Sequence, residues 1–244
     1  MLRQIDGARG YHTAALTEFE WMRVQSLIKD QYLDRIAELQ PDLVDEARAR
    51  HITAYHRLPI RFDHAQAWPK QARLLDARHI AMFEGMEFFQ LIRRQHGADA
   101  AISHDELNWR LVRPNAPSDV GPIHADKWFW DAGHGTMPKG FGRFKIWIAI
   151  HTDPGLNGLT VKPGSHRRDW RHHFERRDGT CKPVFDEDPD TMAMELLPLR
   201  DGQMVMFHDS LLHGGVVNRA ERCRVSLELT VLYPSRTAAR AAAG

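Results

Sequence analysis

The feature that most constrains this chain is a change in the period of its apolar residues near residue 100. Before that point they recur at threes and fours. Over residues 14–39, Leu16, Phe19, Met22, Val24, Leu27, Ile28, Tyr32, Ile36 and Leu39 make the stripe of an amphipathic helix. Pro41 ends it, and residues 43–56 form a shorter helix whose His51 and His56 face solvent. A second long helix is expected over residues 71–96, burying Leu74, Leu75, Ile80, Met82, Phe83, Met86, Phe89, Leu91 and Ile92 and ending near Gly97. Residues 1–13 read as an irregular entry, and residues 57–70, with Pro59 and Pro69, as a loop. Beyond residue 106 the period falls to two. Phe144, Ile146, Ile148 and Ile150 point one way, and Lys145, Trp147, Ala149 and His151 the other. Helices followed by strands predict an α+β fold rather than alternating α/β.

Further strands are expected at 109–113, 159–161, 194–196 and 203–207. Residues 211–216 and 222–232 are expected to form a hairpin. At least seven short strands with turn signals, packed by two preceding helices, suggest a double-stranded β-helix: a jelly-roll, cupin-like barrel. One domain over residues 1–234 follows, with helical support at 14–97 and a barrel core at about 106–234. The charged stretch 167–193 is an insert able to cover a pocket, and the Ala/Arg-rich residues 235–244 are a disordered tail.

Composition excludes several classes. A net charge of +1 gives no bulk attraction to nucleic acid or membrane. Two cysteines far apart, Cys181 and Cys223, make neither a disulfide framework nor a zinc knuckle. The N-terminus has no apolar signal region, and no run approaches membrane-spanning length, so a cytoplasmic protein is expected.

Two stretches carry the chemistry. Ile123-His124-Ala125-Asp126 places an imidazole and a carboxylate at i and i+2, which share a face on a strand. Phe207-His208 through His213-Gly214-Gly215 adds imidazoles, and Arg224 follows His213 by eleven residues. Two histidines and a carboxylate on one face of a metal, with open positions opposite, is the ligand set of non-haem Fe(II) oxygenases. If residues 218–221 connect the hairpin, Gly215 opposes Arg224, and His213 shares Arg224's face about 7 Å away at the ordinary strand rise. That offset suits a short dicarboxylate chelating metal at one end and meeting a guanidinium at the other. His208 competes for the ligand role, but the spacing and hairpin parity favour His213. His151 shares the Lys145/Trp147 face and can enter the barrel, while His166 stabilises a turn.

From about residue 108 to 230 the chain resembles the phytanoyl-CoA dioxygenase family of Fe(II)/2-oxoglutarate oxygenases. The pieces that carry the resemblance are 123–126, Trp147-Ile148-Ala149-Ile150, Asn157-Gly158 through Pro163-Gly164-Ser165-His166, Asp201-Gly202, 207–215, Asn218 and Arg224. The resemblance implies that His124, Asp126 and His213 hold iron and that Arg224 pairs with the distal carboxylate of 2-oxoglutarate. It further implies that Trp147 lines the cosubstrate pocket and that Thr160 hydrogen-bonds the same carboxylate. Gly215 stands where the family often has serine, and the helical first hundred residues match no quotable family signature.

The implied reaction oxidises an unactivated C–H bond of a small molecule, with O2 as co-reactant and 2-oxoglutarate leaving as succinate and CO2. A carboxylate at Asp126, where a halogenase would need a small residue, argues for hydroxylation or a related oxidation. A cupin-like metalloenzyme that does not use 2-oxoglutarate and a non-catalytic jelly-roll binding module are the alternatives. Trp128 and Trp130, with Lys127, Arg110 and Arg113, lean toward an anionic, partly apolar substrate.

Overall fold

A computed structural model describes residues 2–235 except 105 and 178. In chain order its elements are α1 (Leu2–Ile5), β1 (Tyr11–Ala15), α2 (Glu18–Leu39), α3 (Val44–Ala49), α4 (His64–Ala67), α5 (Ala77–Glu84) and α6 (Glu87–His96). Then come β2 (Ala101–Ile102), β3 (Asn108–Val112), α7 (Asp126–Asp131), β4 (Phe141–His151), β5 (Leu159–Val161), β6 (His172–Arg177) and β7 (Thr180–Phe185). The chain closes with β8 (Glu195–Leu196), β9 (Gln203–His208), β10 (His213–Gly215) and β11 (Arg224–Pro234). The fold is α+β, and its sheets are antiparallel. The expected tail falls, from residue 236 onward, outside the described residues.

The helices form for local reasons. Thr17 caps α2 through a reciprocal box with Glu20. Val24, Ile28, Tyr32 and Ile36, each four residues from the next, are its buried stripe, whereas Phe19 and Met22 lie on the exposed side. The long helix expected at 71–96 is a single 3-10 turn at Lys70–Arg73 followed by two separate helices, α5 and α6. Asp76 starts α5 by accepting from the backbone of Arg78 and His79, and Gly85-Met86 interrupts the chain before α6. The expected loop at 57–70 contains α4, and the expected irregular entry ends in a strand, β1, which pairs with β9. His56 is half-buried, with Nδ1 3.3 Å from Cys223 Sγ.

One sheet runs β1-β9-β4-β11-β2, with β3 also paired to β11; a smaller one runs β10-β5-β8. The alternation of β4 is as the sequence predicts. Phe144, Ile146, Ile148 and Ile150 join Val225, Leu227, Leu229 and Val231 of β11 in the core shared with the helices. Trp147 and Ala149 face the other way, packing with Val205 and Phe207 against Leu159, Val161 and Leu211 between the sheets. A wide sheet thus has helices behind it and a small sheet before it, and the candidate site lies between the sheets.

The insert is ordered around a hairpin, β6–β7. It docks on α7: Trp128 stacks on His172 at 4.4 Å and on Phe185 at 5.8 Å between ring centres.

Candidate active site

His124 and His213 face one another across an isolated antiparallel bridge, each backbone N–H donating to the other's carbonyl at 3.0 and 2.9 Å. Their ring centres are 4.4 Å apart. Each ring is turned by its own Nδ1, which meets a carbonyl two residues back: Pro122 at 2.8 Å for His124 and Leu211 at 2.9 Å for His213. A carbonyl only accepts, so Nδ1 carries the proton and Nε2 is left bare in the neutral ring. Burial, reinforced by His213, pushes His124 down to about 4, which keeps it neutral at ordinary pH.

Asp126 arrives differently from the sequence expectation. It lies at the start of α7, with Ala125 as the cap, rather than on a strand. Its Oδ2 is 3.4 Å from His213 Nε2, and its Oδ1 is 3.9 Å from His124 Nε2. The three donor atoms lie within 4.8 Å of one another. Asp126 Oδ2 is buried without a hydrogen-bond partner. Two bare imidazole nitrogens and an unsatisfied carboxylate oxygen aimed at one point fit a divalent metal of the 2-His-1-carboxylate kind.

Behind the carboxylate stands a lysine that sequence reasoning did not single out. Lys145 Nζ lies 3.7 Å from Asp126 Oδ1 and 3.1 Å from Glu106 Oε2. Glu106 also accepts from Lys70 at 3.0 Å and Thr230 at 3.1 Å. Burial raises the Glu106 carboxyl, but Lys145 and Lys70 outweigh it and hold it at about 2. Burial works against the Lys145 charge, and Asp126 and Glu106 more than restore it. The alternation of β4 already placed Lys145 on the Trp147 face, so the signal was present in the sequence.

Arg224 is only 2% exposed. Its Nη1 donates to the Gly158 carbonyl at 2.7 Å, and its guanidinium carbon lies 5.8 Å from the Trp147 ring centre. Its Nε is buried without a partner, and no carboxylate among the described residues pairs with it. Burial, then neighbouring Arg110, pushes Arg224 down to about 10. Gly158 presents its carbonyl from φ 133°, a conformation that favours glycine. A cavity lined by His124, His213, Trp147, Leu159, Phe207, Gly215, Glu228 and Arg224 joins this guanidinium to the two imidazoles of the donor set. A buried guanidinium that no carboxylate pairs, Glu228 being held by Arg110, stands at one end and a convergent donor triad at the other, which fits a dicarboxylate.

The route by which Arg224 reaches His213 corrects the hairpin reading. β10 pairs with β5, while β11 pairs with β3 and β4, so the two strands lie in different sheets. The chain between them is tied by Asn218, fully buried, whose Nδ2 donates to Val112 O and Arg222 O and whose Oδ1 accepts from Asn157 and Ala220. His213 and Arg224 meet across the gap between sheets, not along one ladder. A Cβ on Gly215 would stand 2.9 Å from Val120 Cγ1 and 3.5 Å from Arg224 Nη1.

Thr160 does not share this cavity. Its neighbours Leu159 and Val161 pack between the sheets, so pleat alternation turns Thr160 to the opposite face; Leu159 holds the lining position. Of the residues expected to touch substrate, Arg110 and Trp130 line an outer cavity that also contains His124 and Asp126. Trp128 is turned to the hairpin, Lys127 pairs with Asp131 at 2.5 Å on the outer side of α7, and Arg113 is held by Asp119 at 2.8 and 2.9 Å. Helical geometry separates Trp128 from Trp130, which sit on different sides of a turn. His208 lies beside Asp209 at 3.1 Å, and His151 beside Asp201 at 3.5 Å with His51 packed edge-on, so neither joins the triad.

The family model of phytanoyl-CoA dioxygenase (PhyH) matches residues 30–226, beginning within α2. The structure of EvdO2 from Micromonospora carbonacea var. aurantiaca has a TM-score of 0.58 at 17% identity, covering 95% of this chain and 89% of that one. Its complex with 2-oxoglutarate scores 0.56 at 16% identity with the same coverage. AviO1 from Streptomyces viridochromogenes Tue57 scores 0.52 at 16% identity, covering 93% of this chain and 91% of that one. At these identities the likeness concerns the fold. No curated protein matches the sequence. Among the described residues no helix is long and apolar enough to cross a membrane. The family model spans most of the chain, and the chain belongs to the phytanoyl-CoA dioxygenase family, whose cofactors are Fe(II), 2-oxoglutarate and O2.

Proposed function

We propose that this protein is an Fe(II)/2-oxoglutarate-dependent dioxygenase that hydroxylates, or otherwise oxidises, an unactivated C–H bond of a small molecule within a single jelly-roll domain. The observation that carries the reading is one cavity lined both by His124 and His213, on which Asp126 converges to complete a three-donor set, and by a buried Arg224 that no carboxylate pairs. In it His124, Asp126 and His213 hold the iron, and Arg224 holds the distal carboxylate of 2-oxoglutarate beside Trp147. When bound, iron and 2-oxoglutarate together supply an O2-derived oxidant, with succinate and CO2 as coproducts.

The chain's own residues do the rest. Pro122 and Leu211 hold Nδ1 of each ring, so His124 and His213 turn Nε2 toward the metal position. Lys145, anchored by Glu106, orients the Asp126 carboxylate and disperses its charge. Asp126 fills the position that halogenation would leave to chloride, which favours oxygen insertion or a related oxidation. Leu159 and Phe207 keep bulk water from the inner cavity.

The test is turnover of 2-oxoglutarate to succinate by the Fe(II)-loaded protein. Turnover should be measurable without substrate and vanish in Asp126→Ala. Turnover that persists in Asp126→Ala would remove the ligand assignment.

A further inference from the structure

His124, Lys145, Arg110 and Glu228 line the inner cavity and also an outer one, which adds Arg73, Phe129 and Trp130. The outer cavity is lopsided in charge. Apart from Lys182, which is engaged elsewhere, Lys70, Arg73, Arg110 and Lys145 line it against Glu106, Asp126 and Glu228, four cations to three carboxylates. The carboxylates are committed: Glu106 to Lys70 and Lys145, Glu228 to Arg110 at 2.9 Å, and Asp126 to the donor triad. Arg73 receives none of them. Its guanidinium is spent on carbonyls, Nε to Trp68 at 2.9 Å and Nη1 to Trp109, which aims the group, and the carboxylate whose field reaches it, Glu228, is bonded to Arg110 instead. Arg110 uses Nε on Glu228, and its terminal nitrogens hydrogen-bond to nothing among the described residues. The two arginines line the same cavity, and Arg73 Nη1 bonds the carbonyl of Trp109, the residue next to Arg110, so the guanidinia stand side by side. Two crowded guanidinia with spare donors are an arrangement that an oxyanion stabilises.

We propose that Arg73 and Arg110 form an oxyanion subsite for the substrate, so that the molecule oxidised is a small organic acid. Its body lies along Phe129 and Trp130, beside the triad. The proposal rests on the oxygenase reading above and adds the substrate class. A carboxylate and a phosphate monoester share the required chemistry.

The experiment uses the full chain loaded with Mn(II) and 2-oxoglutarate, the latter occupying Arg224. Calorimetric titration with 2-oxoglutarate comes first. The loaded protein is then titrated with 3-phenylpropionate, 3-phenylpropyl phosphate and the neutral 3-phenylpropanamide. At least one anion should bind about tenfold or more tighter than the amide, and the better of the two identifies the oxyanion. Arg73→Gln should erase most of that preference, and Arg73→Lys should recover part of it. Arg110→Gln provides a second, independent loss. Equal binding of amide and anions, a preference surviving both glutamine variants, or no binding of either anion overturns the subsite. Failure of 2-oxoglutarate itself to bind with the metal would instead overturn the oxygenase reading.

Discussion

Replacing Arg224 with methionine should separate function from stability. In the folded apoprotein the guanidinium is held at about 10 rather than its ordinary 12.5, because burial and Arg110 disfavour its charge. That difference is a cost of roughly 3 kcal/mol to the folded state. It is fully present at neutral pH, where folded and unfolded chains are both protonated, and is relieved only as pH rises from about 10 toward 12.5. Methionine fills similar length without the charge, at the expense of the 2.7 Å bond to the Gly158 carbonyl, about 1–3 kcal/mol. Apoprotein stability should therefore be unchanged or rise slightly. Affinity for 2-oxoglutarate should fall about 10- to 100-fold, the worth of one or two charge-assisted hydrogen bonds. Anaerobic thermal unfolding with Mn(II), with and without 2-oxoglutarate, reads both quantities. Ligand at 100 times the wild-type Kd should stabilise wild type by about 2.7 kcal/mol and the variant far less. A variant that keeps the full ligand-induced stabilisation, or whose apoprotein loses more than about 3 kcal/mol, would refute the reasoning.

Other consequences follow from the same geometry. Thr160→Val should leave 2-oxoglutarate affinity unchanged while Leu159→Asn lowers it, read by the same titration; the reverse order would restore Thr160 to the cavity. Gly214→Ala brings a Cβ to 2.8 Å from Ile123 Cδ1 and 3.3 Å from the Pro122 carbonyl that orients His124, so metal affinity should drop along with about 1–3 kcal/mol of stability. Glu106 and Glu228 are both held at about 2 against an ordinary 4.5, so the stability they contribute is complete above 4.5 and is lost as pH falls toward 2. Glu106→Gln should flatten that acid limb in urea unfolding and weaken Fe(II) binding about tenfold through Lys145. An unchanged limb would contradict the assignment.

Much of this was legible because local rules governed it. The period-two run of β4 set which side chains face the helices and which the cavity, and that alternation is intrinsic to a strand. Residue type and spacing singled out His124, Asp126, His213 and Arg224, which the fold brings close together. What misled was connectivity. Asn218 ties the crossover to Val112 of β3 and to Asn157, 106 and 61 residues distant, so nothing local reveals that residues 213 and 224 lie in different sheets. A tight hairpin was the local guess, and long-range hydrogen bonds overrode it. The same limit explains the substrate residues. Trp128 and Trp130 are equivalent by composition, and only the docking of the β6–β7 hairpin decides that one stacks there while the other faces the outer cavity. Arg73 had no signal at all, since its meaning depends on Arg110 standing beside it.

The most direct measurement is an anaerobic titration of 2-oxoglutarate into the Fe(II)-loaded protein, followed by visible absorbance. Chelation by the keto-acid end should give a saturable coloured band in wild type, absent in Asp126→Ala and shifted to much higher 2-oxoglutarate in Arg224→Met. A protein that binds Fe(II) yet develops no band at any 2-oxoglutarate concentration would contradict the account.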